Sequence, residues 1–250
     1  YWPIGLGLAC AYVLLPSLRG STSSWSWMES ASLLPFWDGP ALNVAWTLQH
    51  ELTFYVIFGL GLLLGRPLAV LGAWMGAVAV ALFVLPIPST ISVTWQHVLF
   101  APINLEFGMG VAAACWYRSG RRARPVTYAL GVLGPLALWA TLGLPRELSF
   151  IVGLAFAVAV AWVTTMERSK RISSPRWLIF LGDASYSLYL IHYPLLSLTS
   201  RLADDAWQAF ALGMAVSVIA GIVYHLTVER WMLRSSQRMD RRSMHGLPAT

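Results

Sequence analysis

Residues 67–86 read PLAVLGAWMGAVAVALFVLP, a run without one charged side chain. A helix needs about 20 largely apolar residues to cross the hydrocarbon core of a bilayer. The rest of the chain has the same character, because 57% of its 250 residues are hydrophobic and only 11% are charged. Soluble domains carry about 25% charged residues. The segment and the composition together predict an integral membrane protein.

Seven further segments have a similar length and apolar character. Gly65-Arg66-Pro67 predicts a tight reversal between two of them, and further prolines mark the ends of others: Pro86, Pro88, Pro125 and Pro145. The chain is therefore predicted to be an all-α, polytopic membrane helix bundle with eight transmembrane helices. The predicted spans are 2–18, 46–65, 67–86, 97–117, 125–144, 148–166, 177–198 and 207–228.

The basic residues indicate how these helices are oriented. Of the 17 Lys and Arg residues, fourteen fall on one side, at position 66 and in the stretches 118–124, 168–176 and 230–242. Only Arg19, Arg146 and Arg201 fall on the other. Cytoplasmic loops carry the Lys/Arg excess, so both visible ends are predicted to be cytoplasmic, in an inner (plasma) membrane. The net charge of +6 is thus explained by topology and does not indicate a nucleic-acid partner.

This topology divides the chain simply. Residues 1–231 are predicted to form a membrane-embedded core, and residues 232–250 a basic cytoplasmic tail. The one long connection, residues 19–45, lies outside the cell in this arrangement. It carries aromatic side chains that are costly to expose, so it is predicted to fold back over the bundle: Trp25, Trp27, Phe36 and Trp37.

Ionisable side chains inside apolar segments mark the candidate site. Glu51, Glu106 and His192 lie on three helices at depths of roughly 8–13 Å below the outer ends, from a helical rise of 1.5 Å per residue. Carboxylates and an imidazole in one cavity are suited to general acid/base chemistry. The alternative is that such residues only join helices by hydrogen bonds. That structural interpretation, with snorkelling, is favoured for residues near the inner surface: Asp183, His225 and Glu229.

The seventh segment carries a polar stripe. Ser185, Tyr189 and His192 recur at helical spacing, and Tyr186 lies on an adjoining stripe. This pattern predicts contact with a cavity rather than lipid, and Pro194 predicts a kink. The two cysteines, Cys10 and Cys115, lie in apolar segments and are predicted to be small buried hydrophobic residues. No metal site is predicted, because no Cys/His set has zinc spacing.

Two stretches carry a family resemblance. Residues 46–55, WTLQHELTFY, resemble the W-S-L-x-V-E-x-x-F-Y signature of the acyltransferase-3 family, with Thr47 in place of Ser and His50 in place of an aliphatic residue. Residues 181–195, LGDASYSLYLIHYPL, resemble its L-G-x-x-S-Y-x-L-Y-L-x-H-x-P-L signature. Weaker similarities at 106–110 and 228–230 keep the same order, so the resemblance covers residues 1–231.

The resemblance implies a membrane O-acyltransferase of about ten helices. Such an enzyme transfers an acyl group, usually acetyl, from a cytoplasmic CoA thioester to a sugar hydroxyl of an exported glycan or lipid-linked precursor. Acyl-CoA is then a donor substrate, and no cofactor is bound permanently. The family's best-known catalytic candidate is a histidine in the first helix, and basic residues precede the third. Residues 1–3 resemble the start of that third helix, so these features are expected upstream, and this chain by itself is expected to be inactive.

The same resemblance gives the candidate residues their roles. Glu51, His192 and Glu106 are expected to be catalytic on the acceptor side, and substrate contacts are expected from Trp46, His50, Ser185, Tyr186 and Tyr189. His50 is either a second acid/base group or an interfacial hydrogen-bonding residue, and the latter is favoured. The rival function is a transporter or flippase that uses the intramembrane Glu and His as a proton relay. Transporters often contain an inverted repeat, and none is visible here.

Overall fold

The computed structural model describes residues 1–18, 24–36, 38–84, 94–143, 148–202 and 205–235. Within these ranges every regular element is helical. The α-helices are α1 (Trp2–Leu14), α2 (Trp27–Ser32), α3 (Trp46–Leu63), α4 (Pro67–Val84), α5 (Trp95–Phe100), α6 (Leu105–Ser119), α7 (Pro125–Leu142), α8 (Phe150–Arg168), α9 (Arg176–Thr199) and α10 (Ala206–Tyr224). Short 3-10 turns occupy Pro16–Leu18, Asn43–Ala45 and Pro102–Asn104, and a π-helical turn, His225–Glu229, follows α10.

The chain divides into two compact units. The first contains residues 1–31, 40–45 and 175–250, and the second contains residues 32–39 and 46–174. The first unit therefore holds α1, α9, α10 and most of α2, and the second holds α3 to α8.

In the first unit, α9 and α10 pack against each other through small residues on α10. Gly213, Ser217 and Gly221 recur every four residues along one face and are all buried. A Cβ atom on Gly221 would lie 2.9 Å from the Leu188 Cα of α9. Small residues at such spacing allow close backbone approach between membrane helices, which compensates for the absence of a hydrophobic driving force in lipid.

Residues 24–31 of the 19–45 connection pack on α1. The Tyr1 hydroxyl donates to the Ser30 carbonyl at 2.8 Å, and Trp2 Nε1 donates to the Ala31 carbonyl at 2.8 Å. The rings of Tyr12 and Trp25 lie 6.0 Å apart. The connection was predicted to fold back over the bundle, and its α2 portion does pack on α1. Residues 19–23 and Trp37 lie outside the described ranges.

In the second unit, α3 and α4 form a helical hairpin. Gly65 ends α3 with a positive φ of 66°, and the Arg66 N–H donates to the Gly61 carbonyl at 2.9 Å. Helices commonly end at a residue with left-handed backbone conformation, which glycine adopts without a Cβ penalty. The reversal predicted at Gly65-Arg66-Pro67 is confirmed. On α4, Leu71, Trp74 and Val78 form a buried cluster that packs against apolar side chains of α3, α5 and α6.

Four helices are long and apolar enough to cross a membrane within the described ranges: Pro67–Val84, Pro125–Leu142, Phe150–Arg168 and Ala206–Ser235. The eight predicted spans are thus confirmed only in part. Helix α1 is shorter, and α3 and α9 have the required length but carry polar residues that lower their mean hydropathy. The helix endings predicted at Pro86, Pro88 and Pro145 lie outside the described residues, whereas Pro125 does begin α7.

One sequence-based prediction about the helices differs from the structure. The segment 97–117 is not one helix, because α5 ends at Phe100 and α6 begins at Leu105 after the turn at Pro102–Asn104. A proline cannot donate a backbone hydrogen bond and disfavours helical backbone in the residue before it, which explains the break. Pro194 lies within α9, and the kink predicted there stays a prediction.

The prediction of buried cysteines was also wrong. Cys10 and Cys115 are both free and exposed on the surface of their helices. In a membrane protein an apolar side chain gains nothing from leaving lipid for the interior, so apolar sequence context does not predict burial.

Candidate functional site

A cavity of about 580 Å³ opens between α3 and α6 in the second unit. Its polar groups come from four side chains, and the rest of its wall is apolar. The lining residues are Trp46, Thr47, His50, Phe54, Ile103, Glu106, Phe107, Gly110, Val111 and Ala114. Ligand sites are commonly apolar cavities of 300–1,000 Å³ with a few placed polar groups. Three of the sequence-predicted site residues, Trp46, His50 and Glu106, therefore lie around one cavity.

His50 is fixed on two sides. Its Nδ1 lies 2.9 Å from Oδ1 of Asn104, which ends the turn before α6 and is fully buried. One helical turn earlier on α3, the Trp46 ring lies edge-on to the imidazole at 5.7 Å. The ring is thus held in one orientation at the cavity wall.

Glu106 enters the cavity from the first turn of α6. The unsatisfied N–H groups at a helix N-terminus favour a negative charge at this position. Helix α8 supports the side chain from behind, because Gly153 leaves the space in which it lies. A Cβ atom at Gly153 would fall 2.7 Å from the Glu106 Cγ.

Glu51 follows His50 directly on α3 but is not among the residues that line this cavity. Its carboxylate accepts a hydrogen bond from the Tyr55 hydroxyl, one turn further along the same helix. Consecutive residues on a helix point about 100° apart, since a turn takes 3.6 residues. Glu51 therefore lies beside the cavity residues in sequence and on a different face of α3.

Gln49 was not anticipated from the sequence. Its side chain is only 1% exposed, and neither its Nε2 nor its Oε1 has a hydrogen-bond partner among the described residues. A buried amide without a partner costs about 1–3 kcal/mol. Glutamine is unusual in a membrane segment. Its amide carries no charge, however, so Gln49 is not among the ionisable residues from which the site was predicted.

The polar stripe of α9 lies in the first unit. His192 Nδ1 donates to the Tyr189 carbonyl at 2.6 Å, and the Tyr189 hydroxyl donates to the Val44 carbonyl at 3.0 Å. Ser185 and Tyr186 are exposed. Since Glu51 and Glu106 belong to the second unit, the convergence of these two carboxylates with His192 stays a prediction.

A second polar cluster in the first unit contains His225 and Glu229, whose side chains were predicted to form helix-end hydrogen bonds and to snorkel toward the inner surface. Glu229 accepts a hydrogen bond from the Ser187 hydroxyl of α9, and its Oε2 lies 2.9 Å from His225 Nδ1. His225 is 3% exposed, so snorkelling was wrong for it, although the predicted hydrogen bonding is confirmed. The π-helical turn places both residues, and such turns often occur at functional sites. No periodicity of the sequence indicates a π-turn.

The regular elements of the described residues are helical, and one cavity between α3 and α6 brings an imidazole and a carboxylate together. The chain belongs to the acyltransferase-3 family: the family model, described as an acyltransferase domain, matches residues 2–226. This confirms the resemblance found in the sequence.

Two curated relatives are similar to the chain. The exopolysaccharide production protein ExoZ of Rhizobium meliloti (strain 1021) is 28% identical over 209 residues, which cover 78% of this chain and 63% of the relative. The acyltransferase MdmB of Streptomyces mycarofaciens is 25% identical over 243 residues, covering 84% and 61% respectively. The chain therefore spans a little under two thirds of the length of these relatives. No solved structure matches it.

Proposed function

We propose that this protein is a membrane O-acyltransferase that moves an acyl group, in the simplest case acetyl, from a CoA thioester to a sugar hydroxyl of an exported or cell-surface glycan. The single observation that carries the proposal is the α3–α6 cavity, where His50 and Glu106 face one space in a chain of this family. One relative is named for exopolysaccharide production, which supports a glycan acceptor.

The cavity is suited to a sugar. Its volume of about 580 Å³ is within the range of ligand sites. Trp46 offers an aromatic ring on which the apolar C–H face of a sugar can stack, and Glu106 and His50 offer groups that bond or deprotonate its hydroxyls. Glu51 and His192 remain proposed acid/base groups, and Ser185, Tyr186 and Tyr189 remain proposed contacts of the acyl donor.

The reaction needs two proton transfers, one away from the acceptor hydroxyl and one to the departing CoA sulfur. The acceptor hydroxyl loses its proton to a base as its oxygen bonds the thioester carbonyl carbon, and the C–S bond then breaks. The CoA sulfur leaves with the bonding electrons and takes up a proton. Family membership favours this chemistry over the proton relay of a transporter or flippase.

A transfer assay tests the proposal. Membranes containing the protein at its natural length are supplied with acetyl-CoA labelled in the acetyl group, and membranes without it serve as the control. We expect label in the glycan or lipid-linked sugar fraction, released by mild alkali because O-esters hydrolyse readily. Absence of an alkali-labile product, with export of unmodified saccharide instead, would support the transporter.

The orientation is a separate prediction, based on the fourteen basic residues of one side. In a variant whose exposed Cys10 and Cys115 are replaced by serine, we introduce Leu202→Cys or Arg121→Cys, both at exposed positions. A membrane-impermeant maleimide should label the first in intact cells and the second only after lysis. The reverse pattern would invert the topology and place the C-terminal tail outside.

A further inference from the structure

The helices of the second unit leave a groove that shares no lining residue with the α3–α6 cavity. Helix α8 packs against both α6 and α7, whereas α6 and α7 barely contact one another. The space between them has a volume of about 390 Å³. Small side chains on all three helices leave it open: Ala112, Ala113, Gly131, Ala157 and Ala161. The groove therefore results from the way in which these three helices pack.

The wall of this groove is suited to an apolar ligand. Two of its polar side chains bond each other, because Trp116 Nε1 donates to the Tyr128 hydroxyl at 2.9 Å. The Tyr128 hydroxyl also accepts from the Ala123 N–H at 3.5 Å. Apart from Thr127, every other lining residue is apolar. A sugar or a nucleotide would find few partners here, and polar groups buried without hydrogen bonds are costly.

The groove has the length of a large part of a lipid chain. Its lining residues run from Met109 to Trp116 on α6 and from Leu154 to Ala161 on α8. At about 1.5 Å per residue, each stretch is roughly 10 Å long. One leaflet contributes about 15 Å, half of a hydrocarbon core of about 30 Å. Leu154 is 42% exposed, so an acyl chain of the bilayer can enter the groove from the side.

One end of the groove is strongly basic. Ala123 lines this end, and its two neighbours in the chain are Arg122 and Arg124, which are both exposed. Arg118 and Arg121 belong to the same connection between α6 and α7. None of these four arginines forms an ion pair with a carboxylate of the described residues. The mouth of an apolar groove thus carries positive charge without an ion-pair partner in the part of the chain that the structure describes.

The helix end at this position adds to the positive potential. Arg124 directly precedes the first turn of α7, where unpaired backbone N–H groups carry a partial positive charge. A cation is unfavourable there, and an anion is favourable. Arg168 of α8 is already committed, because its guanidinium donates to the Tyr117 carbonyl at 2.9 Å and lies over the Tyr117 ring. The arginines of the 118–124 connection are therefore the ones that an anion would meet.

We propose that the groove binds one acyl chain of an anionic phospholipid, whose phosphate lies at the arginines of the 118–124 connection. The groove begins at this basic connection and runs away from it for most of the depth of a leaflet. A zwitterionic lipid offers the same chains, but its own cation offsets the charge of its phosphate. Bulk lipid fills an apolar groove without selectivity, so the preference for an anionic headgroup defines the site. The site is independent of the proposed acyl transfer.

Lipid binding to the purified protein tests the proposal. The protein at its natural length, in detergent, is given phosphatidylglycerol or phosphatidylcholine with the same acyl chains. Native mass spectrometry measures the fraction of protein that retains each lipid. We expect one phosphatidylglycerol per chain to bind at least about 10-fold more tightly, since each arginine near a membrane surface adds roughly a five-fold factor for anionic lipid. Equal binding of the two lipids would assign the groove to bulk lipid or to another part of the protein, and would overturn the proposal.

Paired arginine variants locate the headgroup. Arg122→Gln with Arg124→Gln is expected to weaken phosphatidylglycerol binding about 10-fold or more and to leave phosphatidylcholine binding unchanged. Arg66→Gln with Arg176→Gln is the matched control, because it makes the same change of charge at two exposed positions outside the 118–124 connection. The control should keep the preference. Equal losses in both double variants would show an effect of net charge alone, and the assignment of the headgroup would fail.

A filled groove tests where the acyl chain lies. Ala157→Phe adds a ring at the groove wall and is expected to abolish the preference for phosphatidylglycerol, although every arginine remains. Ala140→Phe is the control, because it adds the same ring at an exposed position of α7 that does not line the groove. If Ala157→Phe keeps tight binding, the headgroup is held without the groove and the acyl-chain assignment is wrong. The arginine variants change no groove residue, so they test the site even if Ala157→Phe does not fold.

Free CoA distinguishes the lipid from another source of phosphate. CoA carries phosphates but no acyl chain, so a molar excess of it should leave phosphatidylglycerol bound. Displacement of the lipid by CoA would assign these arginines to the nucleotide of an acyl donor, and would overturn the lipid site while leaving the proposed function intact.

Discussion

Replacing Glu106 by glutamine is expected to lower kcat for acyl transfer by roughly 10²- to 10⁴-fold, the range that acid/base groups contribute. The amide keeps the size of the side chain but can neither take up a proton nor carry a negative charge. The carboxylate lies in a cavity whose wall is otherwise largely apolar, where a charge interacts more strongly than it does in water, so loss of the charge adds to loss of the proton acceptor. The measurement is the rate of alkali-labile ester formation per amount of protein.

A matched variant tests whether this loss is specific. Glu167→Gln makes the same chemical change at the end of α8, where the carboxylate accepts a bond from the Ser174 hydroxyl at 3.0 Å on the surface. Its kcat should remain within about 2-fold of wild type, because exposed pairs contribute little. An equally active Glu106→Gln variant would remove Glu106 from the mechanism and leave only the cavity.

Gly153→Ala tests the position of the Glu106 carboxylate while leaving its charge in place. The added Cβ would lie 2.7 Å from Glu106 Cγ and 3.0 Å from its Oε1, so the carboxylate must shift. A misplaced catalytic group costs rate without any loss of charge. We therefore expect a kcat between those of the wild type and Glu106→Gln, and a wild-type value would show that the carboxylate need not be held in place.

The chemistry of this cavity could be predicted from the sequence in part. Glu106 and His50 stand out because ionisable groups are costly in a membrane segment and usually face an interior space. Asn104 could not be found in this way, since it carries no charge and lies within the segment 97–117 that was predicted to be one helix. Pro102 was the signal that was missed, because a proline disfavours helical backbone in the residue before it.

The number of membrane-spanning helices was harder to predict than their positions. Helices α3 and α9 lie at their predicted positions, yet their polar residues make them less apolar than the four candidate spans of the described chain. The residues that lower the hydropathy of α3 include Gln49, His50 and Glu51, the same stretch that supplies the candidate site. A helix that presents a few polar side chains to a cavity need not be apolar all round, so a criterion of mean hydropathy does not select α3.

The feature least predictable from the sequence was which side chains of different helices contact one another. Helical rise placed Glu51, Glu106 and His192 at similar depth, but depth does not determine which face a residue occupies or which helix lies opposite. Glu51 and His50 are adjacent in sequence and still have different partners, Tyr55 and Asn104. Only the direction of each side chain, set by the packing of neighbouring helices, separates them.

The largest effect on stability is expected from Gly221→Leu on α10. A Cβ at this position would lie 2.9 Å from the Leu188 Cα and 2.5 Å from its Cδ2. The first of these atoms is backbone, so no change of rotamer relieves the contact and the two helices must separate. Overpacking costs about 1–3 kcal/mol and occasionally more. Separation also endangers the bond between Ser187 and Glu229, and an unpaired buried group adds about 1–3 kcal/mol.

The measurement is the midpoint temperature at which the detergent-solubilised protein loses its monodisperse peak. Gly182→Leu is the control, because Gly182 lies on α9 itself, is exposed, and would have no atom within 4 Å of an added Cβ. We expect a clear fall in the midpoint for Gly221→Leu and little change for the control. Equal midpoints would show that α9 and α10 do not need this close approach.

The double variant Gly221→Leu with Leu188→Ala identifies the contact responsible. Truncating Leu188 removes the Cδ2 contact at 2.5 Å but leaves its Cα where it was. If the backbone approach is limiting, the double variant recovers little of the lost stability, because the interhelical distance itself must increase. Full recovery would instead assign the clash to the leucine side chain alone. We expect the double variant to recover only little of the lost stability, since Gly213 and Ser217 hold the same face of α10 close to α9 along two further turns.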